Sequence, residues 1–338
     1  MINTLIVDDS PLVRDILRDF FEGDKNFKII GEAADGEEAV QKILSLNPDL
    51  VTLDLEMPKM NGLEVIEAVM KKVSVPIVVI SSHSTAGNAY EATIRGALEF
   101  YPKDTFSESL SPVKRKEIYE TLKRISSVKT RKTTAPVEHV SQDIPAKREI
   151  QAIVMASSTG GPRALSKFFS LLPGNFPVPI VIVQHNSSGF DNSFVQWLNA
   201  YTPLNVKLAE EGEDPKPGMV YIAATDRHLV FRNAPGKNFT LGYTDDEPEN
   251  NQKPAADVLF RSAAEVLKRS VVSVVLTGMG SDGALGTQRI HEMGGITMAQ
   301  DEASSLIYGM PKAAAMTGCV DSVLPLDHIP EKLIRLTK

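Results

Sequence analysis

The sequence predicts two α/β domains built on mostly parallel sheets and joined by a linker. Apolar strand-like runs alternate with amphipathic helical segments over residues 1–125, and the alternation restarts in residues 149–338. Residues 126–148 between them hold basic residues, threonines and prolines but no leucine, a composition that cannot bury a core. A length of 338 residues also suits two domains.

The first domain reads as five strands, each followed by a helix. Ser10 and Pro11 suit the N-cap and first position of a helix whose apolar residues recur at helical spacing, and Gly23 suits its end. A last helix is predicted at residues 112–125. The predicted strands are residues 4–7, 28–32, 50–53, 77–81 and 98–101.

The second domain reads as a doubly wound sheet with one hairpin. Residues 219–223 and 228–232 flank a short polar stretch, which predicts that they pair as an antiparallel β-hairpin. The predicted sheet strands are residues 150–155, 179–184, 206–209, 271–277 and 296–299.

Composition excludes several classes of protein. The net charge of -7 and a pI near 5.5 argue against a general nucleic-acid binder, which needs a basic face. A single cysteine, Cys319, excludes an intrachain disulfide and a multi-cysteine metal site. The start of the chain lacks the pattern of a signal peptide, and no apolar run approaches the ~18 residues of a membrane span. We therefore expect a cytoplasmic protein without direct membrane insertion.

Carboxylates follow two predicted strands of the first domain. Asp8 and Asp9 come after the first strand and Asp54 after the third, and ligands gather at this edge of a parallel sheet. Mg²⁺ relieves the repulsion among such carboxylates. Ser81 and Lys103, at the ends of the next two strands, suit a phosphoryl group through a hydrogen bond and a charge. A helix cap explains one such Asp, but not all five groups together.

This half resembles the receiver domain of two-component response regulators, a flavodoxin-like (βα)5 fold. The resemblance implies that Asp54 accepts a phosphoryl group from a histidine kinase. It also implies that Asp9 binds Mg²⁺ directly, Asp8 through water and Glu56 through its backbone carbonyl. The motifs are "VDDS" (7–10), "LDLEMPKMNG" (53–62), "VISS" (79–82) and "FYPKD" (100–104).

The same resemblance assigns the switch residues. Ser81 and Lys103 follow the phosphoryl group, and Phe100 takes the aromatic switch position. One departure is that Asp104 follows the lysine, where the receiver family usually has proline.

In the second domain, "MASSTGGP" (155–162) poses the choice between a phosphate loop and a nucleophile. The G-x-G-x-x-G and P-loop patterns are absent, which disfavours a phosphate cradle. A hydroxyl on a strand-to-helix turn suits a nucleophile, because the helix N-terminus stabilises an oxyanion. A serine or threonine that only caps the helix is the alternative.

A serine nucleophile needs a histidine base and an orienting carboxylate. His185 ends a predicted strand on the expected edge and is favoured over His228, which begins a hairpin strand. Asp282 lies in the glycine-rich turn of "VVSVVLTGMGSDG" (271–283); it could instead cap the next helix, and Asp301 is its rival. The remaining histidines are excluded by position: His83, His139, His291 and His328.

The second half resembles the chemotaxis protein-glutamate methylesterases (CheB). Aligned on Thr-Gly-Gly, the nucleophile is Ser158, and Ser157 takes the place of the family's usual alanine. The resemblance assigns the backbone N–H groups of Thr159 and Met279 to the oxyanion hole. The motifs are "SSTGGP" (157–162), "VQH" (183–185), "DRH" (226–228), "LTGMGSDG" (276–283), "AQDEASS" (299–305) and "YGMP" (308–311).

The resemblance implies hydrolysis of glutamyl methyl esters on methyl-accepting chemoreceptors, through a Ser158–His185–Asp282 triad and with no cofactor for the esterase reaction. Deamidation of receptor glutamines would follow the same chemistry. The implied phosphodonor is the chemotaxis histidine kinase CheA, and the family is usually monomeric. A transcription regulator would need a DNA-binding output domain. A binding module would not need the triad, and a non-motility receptor is a further alternative substrate.

Overall fold

The computed structural model describes residues 1–82, 86–107, 109–128, 149–234, 236 and 239–338. The chain divides into two compact units, Met1–Thr133 and Thr134–Lys338. Most of the predicted linker (129–148) lies outside the described residues, as do His83 and His139. No helix within the described ranges is long and apolar enough to cross a membrane.

Strands and helices alternate along the first unit, which confirms the (βα)5 prediction. The strands form one parallel sheet, and each helix returns the chain to the same end of it. The elements are β1 (Ile2–Val7), α1 (Pro11–Glu22), β2 (Phe27–Ala33), α2 (Gly36–Leu46), β3 (Leu50–Leu53), α3 (Gly62–Met70), β4 (Ile77–Ser81), α4 (Ala86–Arg95), β5 (Glu99–Pro102) and α5 (Pro112–Ser126). The sheet order is β2-β1-β3-β4-β5.

Local capping explains where the helices of this unit begin. The Ser10 side chain accepts a hydrogen bond from the Val13 N–H, and Pro11 opens α1 as expected. Asn61 and Glu64 form a reciprocal capping box at the start of α3. The loops between these strands and helices span residues 8–10 and 54–61, and the carboxylates at their starts lie at the same edge of the sheet.

The second unit is a doubly wound α/β domain, as predicted. Its elements are β6 (Ala152–Ser157), α6 (Gly161–Ser170), β7 (Ile180–Gln184), α7 (Asp191–Asn199), β8 (Asn205–Leu208), β9 (Met219–Ile222), β10 (His228–Arg232), β11 (Thr240–Thr244), α8 (Ala256–Leu267), β12 (Val271–Val275), α9 (Ala284–Glu292), β13 (Ile296–Gln300), α10 (Met310–Met316), β14 (Ser322–Leu324) and α11 (His328–Leu336). Every residue of β6, β7, β12 and β13 is buried, which is typical of parallel strands covered on both faces.

The large sheet of this unit reverses its winding at β6. The strand order is β14-β13-β12-β6-β7-β9-β8, and all neighbours in it are parallel. The chain leaves β6 for β7 on one side and later returns to β12 on the other side. The loops that follow β6, β7 and β12 therefore open at a switch point, where α/β sheets hold their ligands.

The predicted pairing of residues 219–223 with 228–232 is wrong. β9 lies parallel between β7 and β8, and the hairpin is formed by β10 and β11 in a separate two-stranded sheet. The reason is that Val220, Tyr221 and Ile222 are all buried, so β9 needs cover on both faces, which a hairpin does not give. The sequence between β10 and β11 contains a Pro-Gly pair, a dipeptide typical of turns.

Two helical glycines of the first unit allow a test of its packing. A Cβ at Gly62 would lie 2.3 Å from the Asp54 carbonyl oxygen, whereas a Cβ at Gly87 would meet nothing within 4 Å. We expect Gly62→Ala to lower the unfolding free energy of this unit by about 1–3 kcal/mol, because backbone atoms must move. Gly87→Ala, the control, should raise it by up to about 1 kcal/mol. Amide hydrogen exchange of β1 and β3 measures the difference, and equal protection in both variants would contradict the close approach.

Candidate active site

Ser158 lies on the turn between β6 and α6. Its N–H donates to the Thr277 carbonyl (3.0 Å), and its own carbonyl accepts from the Gly161 N–H (2.7 Å). Gly160 caps α6 with φ 75°, a left-handed conformation that glycine adopts without strain. The turn therefore holds a half-buried hydroxyl at the N-terminus of a helix, where a partial positive charge favours an anion.

Ser157, the neighbouring serine, has a different environment. It is fully buried, and its hydroxyl donates to Gln184 Oε1 at 2.6 Å. The Gln184 Nε2 in turn donates to the carbonyls of Ser158 (3.2 Å) and His185 (3.0 Å). Ser157 and Gln184 thus brace the ends of β6 and β7. Sequence reasoning missed Gln184, although the motif "VQH" places it beside the histidine.

His185 and Asp282 are brought together by the fold. Asp282 Oδ2 lies 2.8 Å from His185 Nε2, and both side chains are almost completely buried. An ionised carboxylate can only accept, so Nε2 carries the proton and Nδ1 carries the lone pair. Nδ1 is buried and has no hydrogen-bond partner among the described residues. Nδ1 is therefore the ring nitrogen left to accept a proton, and it makes no hydrogen bond to the Ser158 hydroxyl in this structure.

The Asp282 carboxylate is held by backbone donors. Its oxygens accept from the N–H groups of Ala256 (2.6 Å), Asp257 (2.9 Å) and Gly283 (3.0 Å). Burial by itself would raise the pKa of Asp282. The hydrogen bond and charge of His185 and the backbone donors outweigh burial and lower the pKa below its ordinary value, so Asp282 is ionised at neutral pH.

The rival residues have other partners. Asp301 accepts from the N–H (2.9 Å) and hydroxyl (2.6 Å) of Ser304, so it stabilises its own turn. His228 is fully buried; its Nδ1 accepts from the Ala255 N–H (3.1 Å), and its Nε2 lies 3.1 Å from the Glu247 carbonyl. It is a buried hydrogen-bonding residue rather than a surface one.

The glycine-rich loop after β12 is pinned beside Ser158. The Gly278 N–H donates to the Ile307 carbonyl (3.1 Å), and its carbonyl accepts from Gly309 (3.1 Å) and Met310 (2.9 Å). The Thr277 hydroxyl donates to the Thr159 carbonyl at 3.0 Å. A Cβ at Gly278 would lie 2.9 Å from Ser158 Cβ, so only glycine fits there. Thr159 and Met279 therefore lie on backbone segments that neighbouring loops hold in place.

Asp257 is a second buried carboxylate that sequence reasoning missed. Its Oδ1 accepts from the Gly286 N–H (2.6 Å) and its Oδ2 from Asn250 Nδ2 (2.8 Å). Burial, together with the charge of nearby Asp282, raises its pKa to about 6 despite these hydrogen bonds. An Asp in the first turn of a helix is ordinarily a sign of favourable charge at the N-terminus, so the sequence offered no signal of its contact with Asp282.

In the first unit, three carboxylates converge. One oxygen each of Asp8, Asp9 and Asp54 lies within 4.8 Å of the others; Asp8 and Asp54 are buried and Asp9 is exposed. Lys103 Nζ contacts Asp8 (2.9 Å) and Asp54 (2.8 Å). Burial raises the pKa of Asp8 and Asp54, and Lys103 offsets part of that cost. An oxygen-only donor set with buried, mutually repelling carboxylates fits Mg²⁺.

The other predicted residues of this unit lie at the same edge or behind it. Ser81 is buried at the end of β4. Phe100 is buried in β5 and packs edge-on against Tyr90, with ring centroids 4.8 Å apart. Glu56 is exposed and accepts a hydrogen bond from the Ser82 hydroxyl (3.3 Å).

Two family models match the chain. The model described as CheB methylesterase matches residues 153–333, and the model described as response regulator receiver domain matches residues 4–112. Together they span both units.

Curated proteins and a solved structure are similar to the chain as well. Two relatives named protein-glutamate methylesterase/protein-glutamine glutaminase are each 40% identical over 99% of this chain: one from Pyrococcus abyssi, covered over 93% of its length, and one from Thermotoga maritima, covered over 98%. The crystal structure of the Thermotoga maritima CheB methylesterase catalytic domain is 43% identical, with a TM-score of 0.54. That match covers 55% of this chain and 98% of the solved one.

The raised pKa of Asp257 predicts a pH-dependent loss of stability. The ionised form opposes folding, and the penalty grows as pH rises from the ordinary pKa of 3.8 to about 6. The unfolding free energy of the wild type, minus that of Asp257→Asn, should therefore fall by about 3 kcal/mol across that window and stay constant above it. Urea unfolding followed by the fluorescence of Trp197, the only tryptophan, measures this.

The control for this experiment is Asp246→Asn, which removes an exposed carboxylate of the same unit. Its stability difference from the wild type should change little with pH over the same window. A pH-independent difference for Asp257→Asn would contradict the raised pKa.

Proposed function

The chain belongs to the CheB methylesterase family and carries a response regulator receiver domain, and we propose that it is a phosphorylation-activated methylesterase that acts on chemoreceptors. The enzyme is a protein-glutamate methylesterase/protein-glutamine glutaminase. The proposed substrate is a γ-glutamyl methyl ester on a receptor cytoplasmic domain, and the product is methanol. The observation that carries the mechanism is the 2.8 Å contact of His185 with Asp282 on the sheet edge that also holds Ser158.

The proposed nucleophile is Ser158 and the proposed base is Nδ1 of His185. Because Nε2 donates to Asp282, only Nδ1 can take the hydroxyl proton. Asp282 stays ionised, holds the ring and stabilises the imidazolium that forms. Two observations support the assignment of Ser158. It lies on the turn after β6, and the hydroxyl of the alternative, Ser157, already donates a hydrogen bond to Gln184.

The reaction proceeds in two steps. Ser158 Oγ attacks the ester carbonyl, and the oxyanion accepts hydrogen bonds from the backbone N–H groups of Thr159 and Met279. His185 then gives its proton to the departing methoxide, so methanol leaves and an acyl-enzyme remains. Water, deprotonated by the same Nδ1, then attacks the acyl carbonyl. The bond to Ser158 Oγ breaks, Oγ takes the proton back from His185, and a free glutamate side chain is released.

Deamidation of receptor glutamine follows the same path. The amide nitrogen takes the place of the methoxide oxygen, accepts the proton from His185 and leaves as ammonia. The acyl-enzyme is then identical to that of the ester reaction, and its hydrolysis again yields glutamate. One set of side chains therefore supports both activities in the relatives' name.

The proposed phosphoacceptor of the receiver domain is Asp54, with the histidine kinase CheA as donor. Asp8, Asp9, Asp54 and the backbone carbonyl of Glu56 would hold Mg²⁺. When bound, this dication neutralises the carboxylates and the phosphoryl oxygens. Lys103, already in contact with Asp54, supplies a second positive charge.

The response to phosphorylation is proposed to run through the switch residues. Ser81 would hydrogen-bond the phosphoryl group, and the Phe100 side chain would change its rotamer when Asp54 is phosphorylated. Phosphorylation then shifts the population of the enzyme toward a more active state. We propose that the enzyme acts as a monomer.

Replacing each serine separately tests the nucleophile. Ser158→Ala should lower kcat for methanol release from methyl-labelled receptor fragments by at least about 10⁴-fold, because the attacking group is gone. Ser157→Ala, the matched control, should keep kcat within about tenfold. It should lower the unfolding free energy by about 1–3 kcal/mol, since the buried oxygen of Gln184 loses its donor. Loss of activity in Ser157→Ala alone would mean that the neighbouring serine is the nucleophile.

Replacing the phosphoacceptor Asp54 tests whether phosphorylation regulates the enzyme. With Mg²⁺ and a small phosphodonor such as acetyl phosphate, we expect the full-length wild type to take up one phosphoryl group and to release methanol faster. Asp54→Asn should take up none and keep the basal rate. Stimulation of both proteins to the same extent would refute control through Asp54.

A further inference from the structure

Asp282 caps a helix that is not its own. Helix α8 begins after Ala255, which offers no side-chain cap. The first two N–H groups of α8, those of Ala256 and Asp257, instead donate to the two oxygens of Asp282 (2.6 and 2.9 Å). A side chain from a distant segment therefore does the work of an N-cap, and the helix N-terminus stabilises its negative charge.

Asp257 in turn caps helix α9. Helix α9 follows Asp282 directly and begins after Gly283, which also lacks a side-chain cap. The Gly286 N–H in its first turn donates to Asp257 Oδ1 at 2.6 Å. A Cβ at Gly286 would lie 2.5 Å from Phe260 Cβ, so the two helices touch closely there. Asp282, which precedes α9, thus caps α8, and Asp257, which lies in α8, caps α9.

Asn250 bridges the pair. Its Nδ2 lies 2.8 Å from Asp257 Oδ2 and 3.4 Å from Asp282 Oδ1. Asn250 and Asn251 form a tight two-residue turn with φ 54° and 60°, a conformation that asparagine tolerates. Arg261 of α8 holds the turn through two hydrogen bonds to Glu249 (2.6 and 2.5 Å). The amide is therefore presented to both carboxylates by an anchored turn.

These contacts fix the orientation of the Asp282 carboxylate. Oδ1 is occupied by Asp257 N–H, Gly283 N–H and the Asn250 amide, whereas Oδ2 faces His185 and the Ala256 N–H. Rotation of the carboxylate would break several of these hydrogen bonds at once. The orientation of His185, and hence of its Nδ1, follows from that of Asp282.

We propose that Asn250 and Asp257 are positioning residues of the hydrolytic site, which hold Asp282 so that its Oδ2 orients His185. The proposal rests on the proposed function for its kinetic readout. Neither residue takes part in a bond that forms or breaks. Their effect is on the geometry of the His185–Asp282 hydrogen bond, which can be observed without substrate.

The first test compares Asn250→Gly with Asn251→Gly in the full chain. Both positions have positive φ, which glycine accepts, so neither variant strains the turn. Only the first variant loses the amide between the carboxylates. We expect kcat for methanol release to fall by roughly 10–100-fold in Asn250→Gly with KM unchanged, the range observed when an outer-shell hydrogen bond to a metal-binding side chain is removed. Asn251→Gly should stay within about twofold of the wild type.

The second readout is the proton NMR signal of His185 Nε2–H, assigned by its loss in His185→Ala. It should shift upfield or broaden in Asn250→Gly and stay in place in Asn251→Gly. This readout separates the two proposals: wild type that releases no methanol would refute the proposed substrate, while the signal still reports on positioning. An unchanged signal and an unchanged kcat in Asn250→Gly would overturn the positioning role.

A side-chain exchange distinguishes positioning from plain stability. Asp257→Asn alone leaves a donor facing the donor of Asn250. The double variant Asn250→Asp/Asp257→Asn restores a hydrogen bond between the two positions with the roles reversed. It cannot restore a donor to Asp282. Because the new carboxylate at position 250 would face Asp282 Oδ1, we expect kcat of the double variant to stay at or below that of Asp257→Asn; recovery of kcat to the wild-type value would show a merely structural role and refute the proposal.

Discussion

The hydrolytic site depends on keeping one buried carboxylate, Asp282, ionised and turned toward His185. Burial opposes this, since a desolvated carboxylate prefers to be protonated. His185 opposes this effect of burial most strongly, and the backbone N–H groups at the start of α8 add to it, so the pKa of Asp282 is lowered. The Gly283 N–H is a further backbone donor to the same carboxylate. Because the donors belong to the backbone, their positions depend on the packing of whole helices. The chemistry of one side chain is thereby tied to the arrangement of α8 and α9.

Asp257 carries the cost of that arrangement. Asp257 and Asp282 are both buried and lie close together. Asp257 does not contact the histidine, and burial together with the Asp282 charge raises its pKa to about 6. The pKa of Asp282, which contacts His185, is lowered. A site that maintains a charge for function at the expense of stability is common in enzymes. Asn250 lessens the repulsion by donating toward both groups.

The receiver unit also contains buried carboxylates, but a lysine side chain rather than helix N-termini stabilises their charge. Its carboxylates also lie beyond the carboxyl ends of parallel strands, and burial raises the pKa of Asp8 and Asp54. Here a side-chain cation, the Lys103 ammonium, contacts both. A side-chain cation and an oxygen-rich cluster can exchange partners when ligands arrive, whereas helix N-termini cannot. The first unit is thus suited to change its charge and the second to keep it.

The sequence by itself determined the two α/β units and the residues at their strand ends, because buried parallel strands leave long apolar runs and their loops collect polar residues. It misjudged the hairpin, since β9 and β10 are both short and apolar and only the sheet shows which is covered on both faces. The sequence also favoured Asp282 over Asp301 as the partner of His185, and the structure brings Asp282 and His185 together. Tertiary structure alone decided that Nε2 makes this contact and that Asn250 and Asp257 surround the carboxylate. The physical reason is that the contacts of Asp282 with Asp257, Asn250 and His185 join residues 25, 32 and 97 positions apart, and their approach depends on helix packing rather than on local pattern.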